Sequence, residues 1–246
     1  MARRILAGLL FTALLMTTPR TTWAQAPSPL LEQTPRIALD PGHGGRDFGA
    51  RGPTGLLEKD ACLALARNLA LRLESRCKVI LTRSDDYQVE LQQRSAIANQ
   101  ADADLLISLH TGAAYGHQTN GITIYYYDEP ARTAPMDDTE RLVPADDPQQ
   151  WNRTQLRHQP ASLALATALK KRLDRVPDAQ GCTIRGAPLA VLQGADMPAV
   201  LVEVGYITHP ATEARLASLQ DGQWLSDPIF FGIQDFLTEH EKAHKF

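Results

Sequence analysis

The chain is poor in the features that mark several protein classes. Its three cysteines, Cys62, Cys77 and Cys182, match no cysteine-based zinc spacing, and an odd number cannot all pair within one chain. Cys62 falls on a helical face and Cys77 at a strand start, where a thiol serves as a small buried hydrophobe. All three therefore read as structural thiols. Neither sign of charge dominates, since 25 basic against 28 acidic residues leave a net −3. Nucleic-acid binding usually demands a basic face, so no nucleic-acid partner is expected. Internal repeats are absent, and the longest apolar run, Ile5 to Met16, is too short to cross a bilayer comfortably. That run follows the positive start Met1-Ala-Arg-Arg4 and precedes Ala24-Gln25-Ala26, an A-x-A cleavage pattern. Residues 1–26 read as a removed export signal, with an uncleaved anchor as the alternative. An exported, periplasmic protein is the expectation.

What remains is ordinary globular sequence. A hydrophobic fraction of 43% over 246 residues suffices for one substantial core. Residues 27–35 form a proline-bearing linker, and strand and helix signals then alternate through 36–246. Strands are expected at Arg36–Leu39, Lys78–Thr82, Leu105–Leu109, Gly121–Tyr127, Pro188–Leu192 and Ala199–Val202. Helices are expected from Glu58 to about Leu73, over Leu91–Asn99, over Ser162–Leu173 and from roughly Pro228 to His244. A further helix start is expected near Pro210, with Thr208 as its cap. The pattern is that of an α/β fold: a single domain with a mostly parallel or mixed central sheet flanked by helices. One compositional break interrupts it, residues 128–159, which are longer than most connections in a compact domain.

Three strand signals end in groups that carry chemistry. His43 lies just past the strand in Arg36-Ile-Ala-Leu-Asp-Pro-Gly-His-Gly-Gly45, His110 ends Asp104-Leu-Leu-Ile-Ser-Leu-His110, and Glu203 ends Pro198-Ala-Val-Leu-Val-Glu203. Functional groups in open α/β sheets collect at the carboxyl ends of the strands. Two imidazoles and a carboxylate form the ligand set of a hydrolytic zinc site with an open position for water. Glu58, at a helix start, adds a second carboxylate, so one acid could bind metal while the other acts as base. Gly42, Gly44 and Gly45 let the backbone turn sharply around His43. Arg83, Asp85 and Arg94 could support the site or pair on the surface. His117, His158, His209, His240 and His244 read as structural. Tyr125–Tyr127 could stack on sugar rings, but alternation along a strand accounts for at least two of the three.

The chain resembles the type-3 class of zinc-dependent N-acetylmuramoyl-L-alanine amidases. The resemblance rests on Ile37-Ala-Leu-Asp-Pro-Gly-His-Gly-Gly-Arg-Asp-Phe-Gly-Ala50 with Gly55-Leu-Leu-Glu-Lys59, and on Leu81-Thr-Arg-Ser-Asp85 with Leu91-Gln-Gln-Arg-Ser-Ala-Ile-Ala-Asn99. It continues through Ala103–His110 and from Arg185-Gly186 to Ile207, in order, across nearly all of residues 36–240. It implies that His43, Glu58 and His110 hold one Zn2+ and that Glu203 is the catalytic carboxylate, taking a proton from water and passing it to the leaving amine. The implied substrate is peptidoglycan, cut at the amide between N-acetylmuramic acid and L-alanine. Arg185 sits where the family often has an arginine near the cleft and would bind the stem peptide. Residues 128–159 occupy the region where some members carry a regulatory insert that an activator protein relieves, and Asp137, Asp138 and Glu140 could supply an occluding carboxylate.

Two departures stand out. Thr111-Gly112 replaces the usual Ala and Asn or Asp after the second histidine, which alters the loop's polar support, and Phe48 stands where Pro is usual. The alternatives are another envelope zinc peptidase or amidohydrolase, or a non-catalytic wall-binding regulator on the same fold. A monomer is expected.

Overall fold

We describe a computed structural model of the chain, covering residues 34–129, 154–177, 179–218 and 223–244. The proposed signal at 1–26, most of the 27–35 linker, and Asp137, Asp138 and Glu140 lie outside the described residues. Six strands form one sheet: β1 (Arg36–Pro41), β2 (Lys78–Leu81), β3 (Leu105–Gly112), β4 (Ile122–Tyr127), β5 (Cys182–Ala187) and β6 (Ala199–Tyr206). Their order is β2-β1-β3-β6-β4-β5. The first four in that order run parallel. β4 and β5 run parallel to each other, and β4 is antiparallel to β6. The sheet is therefore mixed, as expected.

The helices are α1 (Glu58–Leu73), α2 (Leu91–Gln100), α3 (Thr154–Leu173), α4 (Ala190–Gln193), α5 (Pro210–Ala217) and α6 (Gln223–His244). Alternate strand residues serve two cores, as a period of two requires. Ile37, Leu39, Ile107, Leu109, Val200 and Val202 meet the apolar stripes of α1, α3 and α6. Ala38, Leu106, Ala199 and Leu201 face the opposite way, toward Ala98 of α2 and Val191 and Leu192 of α4. With both faces covered, the central strands read as unbroken apolar runs. Among the described residues, no helix is long and apolar enough to cross a membrane.

Three expectations are corrected. Pro188–Leu192 is not a strand: β5 occupies Cys182–Ala187 and Ala190–Gln193 is a short helix. β5 pairs with β4 alone and is largely solvent-exposed, so it lacks an apolar run, whereas Val191 and Leu192 are apolar because their turn is buried. The third helix starts at Thr154 rather than Ser162, which makes 154–159 of the expected loop helical. Pro160 reads as a breaker but sits inside the helix. The turn ahead of it is anchored by Gln155, which donates to the Ala195 and Met197 carbonyls and accepts from the Ser162 hydroxyl. Finally, Thr208 caps nothing. Its hydroxyl accepts from the Ala114 N–H, and His209 holds the N-cap position of α5 without a side-chain cap bond. All three cysteines are free and buried, as expected of structural thiols.

Candidate metal centre and active site

Because β1, β3 and β6 are parallel, their carboxyl ends share one edge, and the expected residues meet there. β1 delivers His43, the first turn of α1 delivers Glu58, and β3 carries His110. Their donor atoms lie within 4.8 Å of one another. His43 Nε2 is 3.1 Å from Glu58 Oε2, and His110 Nδ1 is 3.1 Å from Glu58 Oε1. Donors bound to zinc at about 2.0–2.1 Å in a tetrahedron stand roughly 3.3 Å apart, so the spacing fits such an ion. The other ring nitrogen of His43 faces Asp47 Oδ2 at 2.8 Å, which leaves Nε2 turned inward. An imidazole whose far nitrogen is held by a carboxylate is a common arrangement for metal-ligating histidines.

The electrostatics suit a cation. Burial opposes ionisation of Glu58, but His110, His43 and the Ala50 N–H outweigh it and hold the carboxyl well below the ordinary range. Ala50 N–H donates to Oε2 at 2.8 Å and Thr111 N–H to Oε1 at 2.9 Å. Burial also works to lower the pKa of His43, yet Glu58 and Asp47 raise it on balance. The cluster is thus a carboxylate between two imidazoles, ready to exchange protons for metal.

The turn at His43 is strained and heavily restrained. His43 has φ +60°, a left-handed conformation that non-glycine residues seldom adopt. Two buried guanidinium groups grip the carbonyls around it. Arg94 donates to Pro41 O and His43 O, both at 2.8 Å, and to Asp40 Oδ1 at 2.8 Å. Arg83 donates to Pro41 O at 2.9 Å, Gly42 O at 2.7 Å and Lys59 O at 2.8 Å. Asp40 is fully buried and also accepts from the Thr82 and Ser108 hydroxyls at 2.6 Å. A Cβ on Gly42 would run into the His110 ring, and one on Gly49 would lie 2.6 Å from His43 Cδ2. Asp85, by contrast, points to solvent with its side chain 80% exposed.

A second clamp holds the approach to Glu58. Glu213 of α5 is fully buried and accepts from Thr54 N at 2.9 Å and Leu56 N at 3.1 Å. These donors outweigh the cost of burial and lower its pKa.

Glu203 pairs with His110 across the β3–β6 ladder, and Thr123 of β4 lies opposite it on the other side. Its pKa is raised, first by burial and also by the charge of Glu58, against the opposing pull of His110, Tyr125 and Arg185. The Tyr125 hydroxyl lies close enough to favour its ionised form. Arg185 sits on β5 directly beside Tyr125, exposed and close enough to act on Glu203 electrostatically. Glu203, Tyr125 and Arg185 therefore form a row across β6, β4 and β5.

Sequence reasoning missed Asp47 and the nearness of Tyr125 to Glu203, and left Arg83 and Arg94 undecided. The i, i+4 spacing of His43 and Asp47 was the one legible signal among them. His117 and His158 behave as expected, bonding Thr208 O and Asp196 respectively.

The family described as N-acetylmuramoyl-L-alanine amidase matches residues 37–235. The chain is 29% identical over 220 residues to the N-acetylmuramoyl-L-alanine amidase AmiC of Escherichia coli, covering 82% of this chain and 53% of that one. It is 30% identical to AmiC of Neisseria meningitidis, covering 83% and 53%. The chain thus spans about half the length of these relatives. Among solved structures, the amidase AmiC2 of Nostoc punctiforme superposes with a TM-score of 0.67 at 31% identity, covering 83% of this chain and 98% of that one. The ligand cluster at one sheet edge, the mixed sheet and this match together show that the chain belongs to the N-acetylmuramoyl-L-alanine amidase family.

Proposed function

We propose that this protein is a zinc-dependent hydrolase that cuts the amide between N-acetylmuramic acid and L-alanine in peptidoglycan. The observation that carries the reading is the His43–Glu58–His110 cluster with Glu203 beside it. His43, Glu58 and His110 would hold one Zn2+, which when bound supplies a Lewis acid for the carbonyl and an activated water. Glu203 takes a proton from the attacking water and returns it to the leaving nitrogen. A carboxylate with a raised pKa suits both halves of that transfer, because acid–base catalysts work best near the ambient pH. Tyr125 and Arg185 favour the ionised form of Glu203, and Asp47 orients His43. Arg185 offers a guanidinium to a carboxylate of the stem peptide.

On the same reading residues 1–26 direct export to the periplasm and 27–35 tether the domain. The acidic cluster Asp137, Asp138 and Glu140 shields the metal until an activator protein binds. The presence of all three ligand side chains and of Glu203 favours an enzyme over a non-catalytic regulator.

The test is digestion of purified sacculi with product identification by mass spectrometry, run for wild type, Glu203→Gln and chelator-treated protein. Stem peptides beginning with a free L-alanine amine, released by metal-loaded wild type alone, support the reading. Cuts within the stem would replace it with a peptidase. Full activity in Glu203→Gln would remove that residue from the mechanism.

A further inference from the structure

The order of strands puts the groups around the centre in a line. Tyr87 follows β2, while His43 and Phe48 follow β1. His110 ends β3, and Glu203, Tyr125 and Arg185 then sit on β6, β4 and β5. One end of this line is aromatic, the other is a cation, and the ligand cluster separates them.

The aromatic end is built rather than incidental. Phe48 is 54% exposed and Tyr87 46% exposed, although large apolar side chains gain most from being covered. Both rings are held in place. Lys59 Nζ sits 4.9 Å from the Phe48 ring centroid and 2.6 Å from Asp86 Oδ2, next to Tyr87. The same ammonium donates to Gly45 O, and Gly45 N–H donates to Asp86 Oδ1 at 2.8 Å, so the two loops are stitched together. The Tyr87 hydroxyl accepts from Ser84 N–H at 3.3 Å. Phe48 also borders the cluster through its chain neighbours, for Asp47 bonds His43 and Gly49 packs against both His43 and Glu58. Two exposed rings thus sit on loops that Lys59 and Asp86 tie together, and the loop bearing Phe48 packs directly on His43 and Glu58.

The substrate has matching ends. The acyl side of the amide hangs from an amino-sugar ring by a short lactyl arm, and such rings present C–H faces that stack on aromatic side chains. The amine side is a peptide that carries carboxylates. Glu203 must stand on the amine side to protonate the leaving nitrogen, and it lies on the Arg185 side of the cluster. We infer that the substrate crosses the site in one direction, its glycan resting on a shelf formed by Phe48 and Tyr87 and its stem peptide running toward Arg185. This rests on the amidase reading above. It also assigns a role to Phe48, one of the two places where the sequence departs from the pattern it resembles.

Two assays separate the shelf from the activity. The first measures binding of peptide-free glycan strands, alternating N-acetylglucosamine and N-acetylmuramic acid, by calorimetry. Wild type binds them, while Phe48→Ala and Tyr87→Ala each weaken binding about fivefold, as expected for loss of one aromatic face. Leu71→Ala, an exposed apolar residue on α1, serves as the control and leaves that affinity unchanged. The second assay follows release of stem peptides from soluble glycan-linked substrate. The shelf variants lose rate through KM rather than kcat, whereas Arg185→Ala loses the preference for a stem carrying a free carboxylate over its carboxamide. Wild type that binds no stripped glycan, or shelf variants with wild-type affinity and KM, would overturn the shelf. Weakened glycan binding in Arg185→Ala would overturn the direction. Glycan binding needs no catalysis, so failure of the amidase reading would show separately, as absence of stem peptides from wild type that still binds glycan.

Discussion

Arg94→Met is the most demanding test of how the site is held. Arg94 is 3% exposed, and its guanidinium meets Asp40, Pro41 O, His43 O and, at 3.1 Å, Val89 O. Methionine keeps the aliphatic stem and removes every donor. Asp40 then keeps only the Thr82 and Ser108 hydroxyls, and the His43 carbonyl loses its guanidinium donor. Removing one partner of a buried ion pair costs about 3–5 kcal/mol, because the remaining charge stays desolvated. That is a large share of a stability of about 5–15 kcal/mol. At about 2–4 °C per kcal/mol for a domain of this size, the melting temperature of the metal-free protein should fall by about 6–20 °C. Thermal and urea unfolding of wild type, Arg94→Met, Asp40→Leu and the double variant form the assay. The double variant should be more stable than the sum of the two losses, since it leaves no orphaned charge. Arg94→Lys should rescue only part of the loss, as an ammonium cannot reproduce the fork that spans Asp40 and two carbonyls. A loss under about 1 kcal/mol in Arg94→Met, or strict additivity in the cycle, would refute the argument that this pair restrains the strained turn.

Three other outcomes follow from the same geometry. Asp47→Ala, which releases the far nitrogen of His43, should weaken zinc binding by roughly 10- to 100-fold in a chelator competition while moving the melting temperature little, since Asp47 is exposed. Glu213 has a lowered pKa in the folded state, so its stabilising effect is present above the unfolded value near 4.5 and is lost as the pH falls below it. The stability gap between wild type and Glu213→Gln should therefore be widest at neutral pH and close in acid; a gap independent of pH would show that the charge plays no part. Deleting residues 131–150 should raise activity on sacculi if the acidic cluster shields the metal, and unchanged or lost activity would count against that role.

Much of this was legible in the sequence because the relevant signals are local or periodic. Continuous apolar runs marked β1, β3 and β6, whose strands are buried on both faces, and each run ended at a chemical group. β5 was missed for the opposite reason. As an edge strand it buries little, so Cys182-Thr-Ile-Arg-Gly-Ala187 carries no apolar run to detect. The start of α3 depends on Gln155 reaching across to the 195–197 turn, a contact forty residues away in sequence that no window can see. Tyr125 was invisible as a partner of Glu203 because their proximity arises from the antiparallel β4–β6 register, in which Thr123 faces Glu203. The arginines were ambiguous for a related reason: composition marks Arg83 and Arg94 as surface residues, and only the fold shows them buried under the His43 turn.

The departure at Thr111-Gly112 shows how the support is divided between side chain and backbone. Sequence comparison suggested that losing the usual polar residues after His110 would weaken the loop. In the fold, however, Glu58 Oε1 takes its donor from the main-chain N–H of Thr111, and Oε2 takes its donor from that of Ala50. Main-chain donors are present whatever side chain occupies the position, proline excepted. Gly112 packs against the Tyr206 ring, where a Cβ would stand 3.0 Å from two ring atoms, so its small size is accounted for by close packing. Glu58 is thus held by backbone groups, and the backbone around the cluster is fixed by buried charges: Arg83 and Arg94 on the His43 turn, and Glu213 on the loop before Glu58. Variation at residues 111 and 112 is therefore tolerable in a way that variation at Arg94 or Glu213 is not.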